Sequence, residues 1–160
     1  MHILRDASVS DLVPITELII ECSKHYILPY FNEEGRHTYL ESHSLDKMSE
    51  RLKQFQYQVL EDDHAIIGVV GMRRPSHLYH LHVSKEFQGK GLGRRLWEAA
   101  KTRALKMDRL DDITVNSSSY AVPFYERLGF VAGVVENYLG VDYVPMTLKL
   151  NHLSIHSSGK

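Results

Sequence analysis

The sequence predicts a single α/β domain: a mixed sheet of about six to seven strands with helices on both faces. Three observations predict it. The chain has 160 residues, long enough to bury a real core, and neither a linker-like segment nor an internal repeat divides it. Short runs rich in Val, Ile and Tyr with strand-like patterning alternate with stretches whose apolar residues recur every 3.6 positions. The resulting order is strand, two helices, three meandering strands, helix, strand, helix and two strands. A long helix between two strands implies parallel neighbours joined by a right-handed crossover.

Each element has its own justification. HILRDAS opens as a short strand. Ser8 or Ser10 can cap the next helix, with Asp11 in its first turn and Pro14 close behind. Leu12, Ile15, Leu18, Ile19 and Cys22 give that helix one apolar face. HYILPYFNEEGRHTYLESHS begins as a loop at Pro29 and runs into a second helix ending near Lys53. YQVLED (57–62), AIIGVVGMRR (65–74) and HLYHLHVS (77–84) are strands, separated by a DDH turn and by Pro75-Ser76. Leu92, Leu96, Ala99, Ala100, Ala104 and Met107 mark one face of a long helix. DDITVNSS (111–118) is a strand. A short helix follows from Tyr120 to Leu128, with Pro123 near its start and Gly129 as its stop. FVAGVVEN and DYVPMTLKL close the sheet. The expected domain is 1–150, and 151–160 reads as a polar tail.

Composition excludes several classes. With 43% hydrophobic and 24% charged residues the chain is an ordinary globular sequence. A net charge of −1 gives no global reason to expect a nucleic-acid partner or an acidic membrane surface. The lone Cys22 rules out an internal disulfide framework and suits a reducing compartment. No apolar run reaches transmembrane length and the N-terminus lacks a signal-peptide core, so the expected location is cytoplasmic. The chain has 10 histidines, but no His/Cys pair with a zinc-type spacing, so no metal is expected.

The most informative stretch is EFQGKGLGRRL, 86–96. Gly89, Gly91 and Gly93 alternate where a helix begins, among Lys85, Lys90, Arg94 and Arg95. A helix N-terminus offers unpaired N–H groups and the positive end of the dipole, which together bind anions. The same dipole disfavours cations in the first turn. Lys90, Arg94 and Arg95 sit there nonetheless, a conflict that an anionic ligand removes. A glycine-rich turn beneath a solvated basic face explains the charges weakly and the alternating glycines poorly. The P-loop pattern fails because no Gly-Lys is followed by Ser or Thr. The dinucleotide fingerprint fails because Arg94 stands where close helix packing wants Gly or Ala, and because the next strand ends in Asn116 rather than a carboxylate. What remains is Gln-x-x-Gly-x-Gly, at Gln88, Gly91 and Gly93.

LHVSKEFQGKGLGRRLWEAA resembles the acetyl-CoA-binding motif of the GNAT superfamily of N-acetyltransferases. ITVNSSSYAVPFYERLGF resembles that family's second signature, a strand followed by a short helix that bears a Tyr and ends in Leu-Gly-Phe. Together they span 78–130. The resemblance implies a GNAT-like fold and an acetyltransferase that uses acetyl-CoA as co-substrate, without a metal. It implies that the backbone of Gln88, Gly89, Lys90, Gly91, Leu92, Gly93 and Arg94 binds the CoA pyrophosphate. It also implies that Leu81, His82 and Val83 lie along the pantetheine arm, with Leu81 and Val83 pairing their backbone with it. The strand at 113–117 splays away there, and Asn116 could hydrogen-bond the arm or simply end a strand.

The implied chemistry needs a proton acceptor for the amine, a donor to the oxyanion, and an acid for the leaving thiolate. A backbone N–H near Leu81 suits the oxyanion. Tyr125 matches the family's acid position; the alternative is a core aromatic beside Phe124. His80 and His82 alternate along one strand and share a face, so either could be the base or simply line a polar face. Glu136 and Tyr138 are weaker choices, and a water chain could serve. His25, Tyr26, Tyr30, Phe31 and Tyr39 could line an aromatic cleft for a small-molecule or peptide amine. Glu33, Glu34 and Glu41 could attract a cation or simply face water. Pairing with a second copy of the chain is a further expectation. The rival readings are a catalytically silent CoA-binding or sensor module on the same fold, and a nucleotide-binding protein that is not a transferase.

Overall fold

The structure is a computed structural model, and residues 1–150 are described; the expected tail at 151–160 lies outside them. The strands are β1 (His2–Asp6), β2 (Gln56–Asp62), β3 (Ala65–Arg73), β4 (His77–Val83), β5 (Asp112–Ser117), β6 (Val131–Ala132), β7 (Glu136–Tyr138) and β8 (Val141–Lys149). The helices are α1 (Leu12–Tyr26), α2 (Glu33–Ser42), α3 (Leu45–Gln54), α4 (Leu92–Met107) and α5 (Val122–Arg127). The sheet runs β1-β2-β3-β4-β5-β8-β6, and β7 pairs with β8. Among the described residues only β4 and β5 are parallel neighbours.

Two apolar clusters show how the sheet is covered. On one face Leu92, Leu96, Trp97, Ala100 and Ala104 of α4 and Tyr125 of α5 pack with Leu60, Val70, Leu78, Ile113, Val115 and Met146. On the other, Ile15, Leu18, Ile19 and Cys22 of α1 and Met48 of α3 pack with Tyr57, Val59 and Val69. Burial on both faces by helices explains the near-continuous apolar run in β3. The β2–β3 hairpin turns at Asp63 and His64, both with positive φ (49° and 65°), as a tight two-residue turn requires. At the N-terminus the Ser8 amide donates to the Asp11 carboxylate (2.7 Å), and Arg5 grips the same carboxylate.

Two elements differ from the sequence expectation. The single helix expected to run to Lys53 is two helices, broken at His43–Ser44. Asn32 caps α2 by accepting from the Gly35 amide (2.9 Å), and Ser44 caps α3 by accepting from the Lys47 amide (3.3 Å). A second cap inside one charged stretch resets the helix axis. The strand expected at FVAGVVEN is β6 and β7, separated where Gly133 turns its amide onto the Pro145 carbonyl (2.7 Å). The described residues hold eight strands, in the mixed α/β sheet that the sequence predicts.

Candidate active site

The site forms where β4 leaves β5. The two strands pair only at His77–Thr114 and Leu78–Val115, and beyond these they separate. The separation starts at a bulge: Gly71 of β3 faces His80, whereas Met72 faces Leu78, so Tyr79 is an extra residue on β4. A bulge bends its strand and raises the local twist, which turns the rest of β4 away from β5. Meanwhile β5 stays paired along its length with β8.

Backbone polarity in the gap follows from register. The Ser84 amide donates to the Ile67 carbonyl (2.8 Å), in line with the His82–Val69 and His80–Gly71 pairs. Bonded and non-bonded pairs alternate in an antiparallel ladder. His80 and His82 therefore turn their backbone groups to β3, and Leu81 and Val83 turn theirs to the gap. The Val83 carbonyl already accepts from Gln88 Nε2 (2.9 Å) and Cys22 Sγ (3.4 Å), whereas by register both Leu81 backbone groups lack a partner among the described residues. Gln88 thus braces the glycine loop onto the end of β4 with its side chain.

The loop itself is open. Gly89 and Gly91 have φ of +77° and +79°, and a Cβ on either would meet nothing within 4 Å. The backbone N–H groups of residues 89 to 94 find no acceptor among the described residues; the first helical bond of α4 is from Arg95 to Gly91 (3.1 Å). The nearby cations are largely uncommitted to carboxylates. Lys90 lies over the Phe87 ring (5.3 Å), and Arg95 donates to the His2 carbonyl (3.2 Å). Gly93 brings the loop against α5: its Cβ would sit 3.5 Å from Phe124 and 3.9 Å from Val83. These unsatisfied donors fit the phosphates of a CoA-type ligand.

Tyr125 is only 6% exposed. Its ring meets Phe130 (5.5 Å) and Phe124 (5.3 Å) edge-on, in the same cluster as Leu81 and Val83. Its hydroxyl reaches accessible surface and has no hydrogen-bond partner among the described residues. Burial raises its pKa above the ordinary phenol value, so it stays protonated. Asn116, on β5, is exposed.

His80 and His82 do share a face, the α1 face, but they differ. His80 is buried, with Nδ1 2.8 Å from the Tyr57 hydroxyl and Nε2 2.9 Å from His43 Nε2. Both its ring nitrogens are taken. His82 is half-buried, and its ring nitrogens reach accessible surface without a partner among the described residues. Sequence reasoning did not find His43 or Tyr57, because nothing local marks a contact across 37 or 23 positions.

The expected aromatic cleft is only partly assembled. Tyr26 stacks on Tyr120 of the β5–α5 connection (4.6 Å, 25°), joining the two sides of the gap, and His25 leans on Tyr26 (5.9 Å). Phe31 is buried in the fold and Tyr30 is exposed. The Tyr39 hydroxyl is hydrogen-bonded to Ser23 Oγ (2.6 Å). Glu33 and Glu34 occupy the first turn of α2, where the dipole favours them. Glu41 pairs with His37 (3.4 Å). Glu136 accepts from the Tyr143 hydroxyl (2.7 Å), and Tyr138 is exposed. The β7–β8 turn closes on α2: Thr38 Oγ1 donates to the Leu139 carbonyl (2.8 Å), and a Cβ on Gly35 would lie 2.1 Å from the Gly140 oxygen.

The buried histidines predict acid sensitivity. Burial lowers His43, His77 and His82 to about 4, and burial with neighbouring His43, His82 and Arg51 lowers His80 well below the usual value. An unfolded histidine binds its proton near pH ~6.5. Between there and pH about 4 the unfolded chain holds more protons than the folded one, so stability is complete above the window and falls as pH drops through it. The buried pair, His43 and His80, should contribute most of this loss. Asp11 acts elsewhere: its hydrogen bond to Arg5 lowers its pKa to about 2, so that contribution is lost only in stronger acid. Urea unfolding at about pH 7, 6 and 5 checks this; equal stability at all three would refute it.

The family model described as the acetyltransferase (GNAT) domain matches residues 27–150. A GCN5-related N-acetyltransferase of Rhodopseudomonas palustris superimposes with a TM-score of 0.77 at 19% identity, over 92% of this chain and 95% of that one. The PaiA N-acetyltransferase of Thermoplasma acidophilum, solved in complex with coenzyme A, gives 0.75 at 21% identity, over 94% and 99%. YncA of Salmonella typhimurium, a putative acetyltransferase solved with its cofactor acetyl-CoA, gives 0.67 at 20%, over 95% of each chain. The family match covers well over half of the sequence, and the chain belongs to the GNAT acetyltransferases. No helix among the described residues is long and apolar enough to cross a membrane, and none of their His, Cys, Asp and Glu side chains group as a metal site.

Proposed function

We propose that this protein transfers the acetyl group of acetyl-CoA to a primary amine, on a small molecule or peptide, by direct attack of the amine. The observation that carries the reading is the row of backbone N–H groups at 89 to 94 without an acceptor among the described residues, set at the end of β4 where the Leu81 backbone turns to the gap, with Tyr125 in the apolar cluster that Leu81 and Val83 pack against. Similar structures bound to CoA and acetyl-CoA support the choice of donor. Acetyl-CoA supplies an acetyl group activated as a thioester.

The chain's own residues then have distinct tasks. The glycine loop holds the pyrophosphate with its N–H groups and the dipole of α4. The Leu81 amide faces the gap and donates to the developing oxyanion. His82 is the base: its ring nitrogens have no partner among the described residues, and because burial lowers its pKa it passes the amine's proton on to water rather than holding it. Tyr125 gives its proton to the departing thiolate. Asn116 sits on the opposite strand, within the same mouth, and serves the pantetheine arm.

The test is thiol release from acetyl-CoA over a panel of primary amines. Release should require an amine, and His82→Gln should lower kcat by about tenfold or more. Acetyl-CoA binding with no turnover on any amine would instead favour a silent CoA-binding module.

A further inference from the structure

Beneath the gap lies a chain of hydrogen bonds that none of the proposed steps uses. It runs from the Tyr57 hydroxyl on β2 to His80 Nδ1 on β4 (2.8 Å), then from His80 Nε2 to His43 Nε2 at the end of α2 (2.9 Å). It ends where His43 Nδ1 meets the Tyr39 carbonyl (2.8 Å) and Ser42 Oγ (2.8 Å). The far end sets the direction of every bond. A carbonyl only accepts, so His43 carries its proton on Nδ1. Its Nε2 must then accept, so His80 carries its proton on Nε2. Burial keeps His80 neutral, so its Nδ1 accepts and the Tyr57 hydroxyl donates. Both imidazoles are neutral, each in one tautomer, and each uses both nitrogens.

The surroundings hold this arrangement rigidly. The Tyr39 ring stacks on His43 (4.2 Å, 23°). Gly71, opposite His80, carries no side chain, and the Tyr57 ring fills the place: a Cβ there would lie 2.3 Å from Tyr57 Cε1. The titratable and charged groups around the pair are Arg51 of α3, Tyr57 of β2, Tyr79 and His82 of β4, Tyr39 of α2 and Cys22 of α1. Arg51 lies over the Tyr79 ring (5.0 Å) and discourages further positive charge.

The chain is placed where β4 most needs support. His80 directly follows the bulge at Tyr79, and beyond Leu78 the strand has lost its partner on one side. A free edge at that point could twist, and the Leu81 amide would swing with it. His80 instead ties the strand to β2 on one side and to α2 on the other. We propose that His43 is a positioning residue for acetyl transfer: with Tyr57 it fixes His80 as the Nε2–H tautomer and clamps β4 at the bulge, so that the Leu81 backbone stays aimed into the gap. This rests on the transferase reading above. His43 itself touches no reacting atom, and because His80 has no free nitrogen it acts as an anchor rather than a proton acceptor.

Long-range proton–nitrogen NMR of the imidazoles reads the tautomers directly. Near neutral pH His43 should appear protonated on Nδ1 and His80 on Nε2. The opposite tautomer on His43 would overturn the proposal. Kinetics give the second readout. His43→Leu leaves the buried His80 N–H without an acceptor, and kcat should fall about tenfold while the Kd for acetyl-CoA stays within about twofold. His43→Gln, whose amide oxygen can accept from His80, should recover most of the rate. If the leucine variant does not fold, Tyr57→Phe removes the other end of the chain and should lower kcat severalfold with CoA binding kept. A wild-type rate in these variants, equal loss of rate and CoA affinity, or no rescue by glutamine overturns the positioning role alone. A protein that binds acetyl-CoA but acetylates no amine overturns the transferase reading and this role together.

Discussion

Gly91→Glu should abolish CoA binding, weakening it by at least about a hundredfold. Gly91 caps α4 at φ +79°, in the left-handed region that costs an ordinary residue about 1–2 kcal/mol. Space is not the obstacle, since an added Cβ there meets nothing within 4 Å. Charge is: a carboxylate would stand among the open N–H groups of residues 89 to 94, filling the place of the ligand's phosphate and repelling it. Gly91→Asn separates the two effects, because asparagine tolerates positive φ and brings no charge. It should bind CoA within a few-fold of wild type. Thermal shift and calorimetry with CoA measure both, using the stabilisation expected of any ligand that binds only the folded state. If the glutamate variant bound CoA as tightly as wild type, the loop would not be the phosphate site.

The open glycine loop itself was readable from sequence because its physics is local. Gly89, Gly91 and Gly93 lie within five positions and adjoin an apolar period at Leu92, Leu96, Ala100 and Ala104 that sets both ends of α4. The splay of β4 from β5 was readable only through family resemblance. Its physical cause, the bulge at Tyr79, depends on register against Gly71 and leaves no pattern in either strand alone. The break at His43–Ser44 was missed for a related reason. The segment from Glu33 to Gln54 is mostly charged or polar, so apolar period could not distinguish one helix from two, and only the Ser44 cap marks the join. The histidines are the sharpest case. Alternation correctly placed His80 and His82 on one face. Their difference arises from Tyr57 and His43, which the fold brings in from β2 and α2 to occupy one histidine and leave the other open.

Tyr125→Phe should lower kcat by about a hundredfold while leaving stability and acetyl-CoA affinity nearly unchanged. This combination follows from the state of the hydroxyl. The ring is buried against Phe124 and Phe130, and phenylalanine preserves those contacts. The hydroxyl has no partner among the described residues, so its removal leaves no buried group unpaired, and the stability change should stay within about 0.5 kcal/mol. A core tyrosine kept only for packing would show the same stability and no loss of rate, so rate distinguishes the two roles. The pH profile adds a second criterion. Because burial raises the phenol above its ordinary pKa, Tyr125 stays a proton donor throughout the neutral and mildly alkaline range. No alkaline limb attributable to Tyr125 should appear in kcat below pH about 10. Stopped-time thiol release with wild type and Tyr125→Phe across pH gives both readouts. A phenylalanine variant that keeps the wild-type kcat would remove Tyr125 from the chemistry and leave the thiolate to be protonated by solvent.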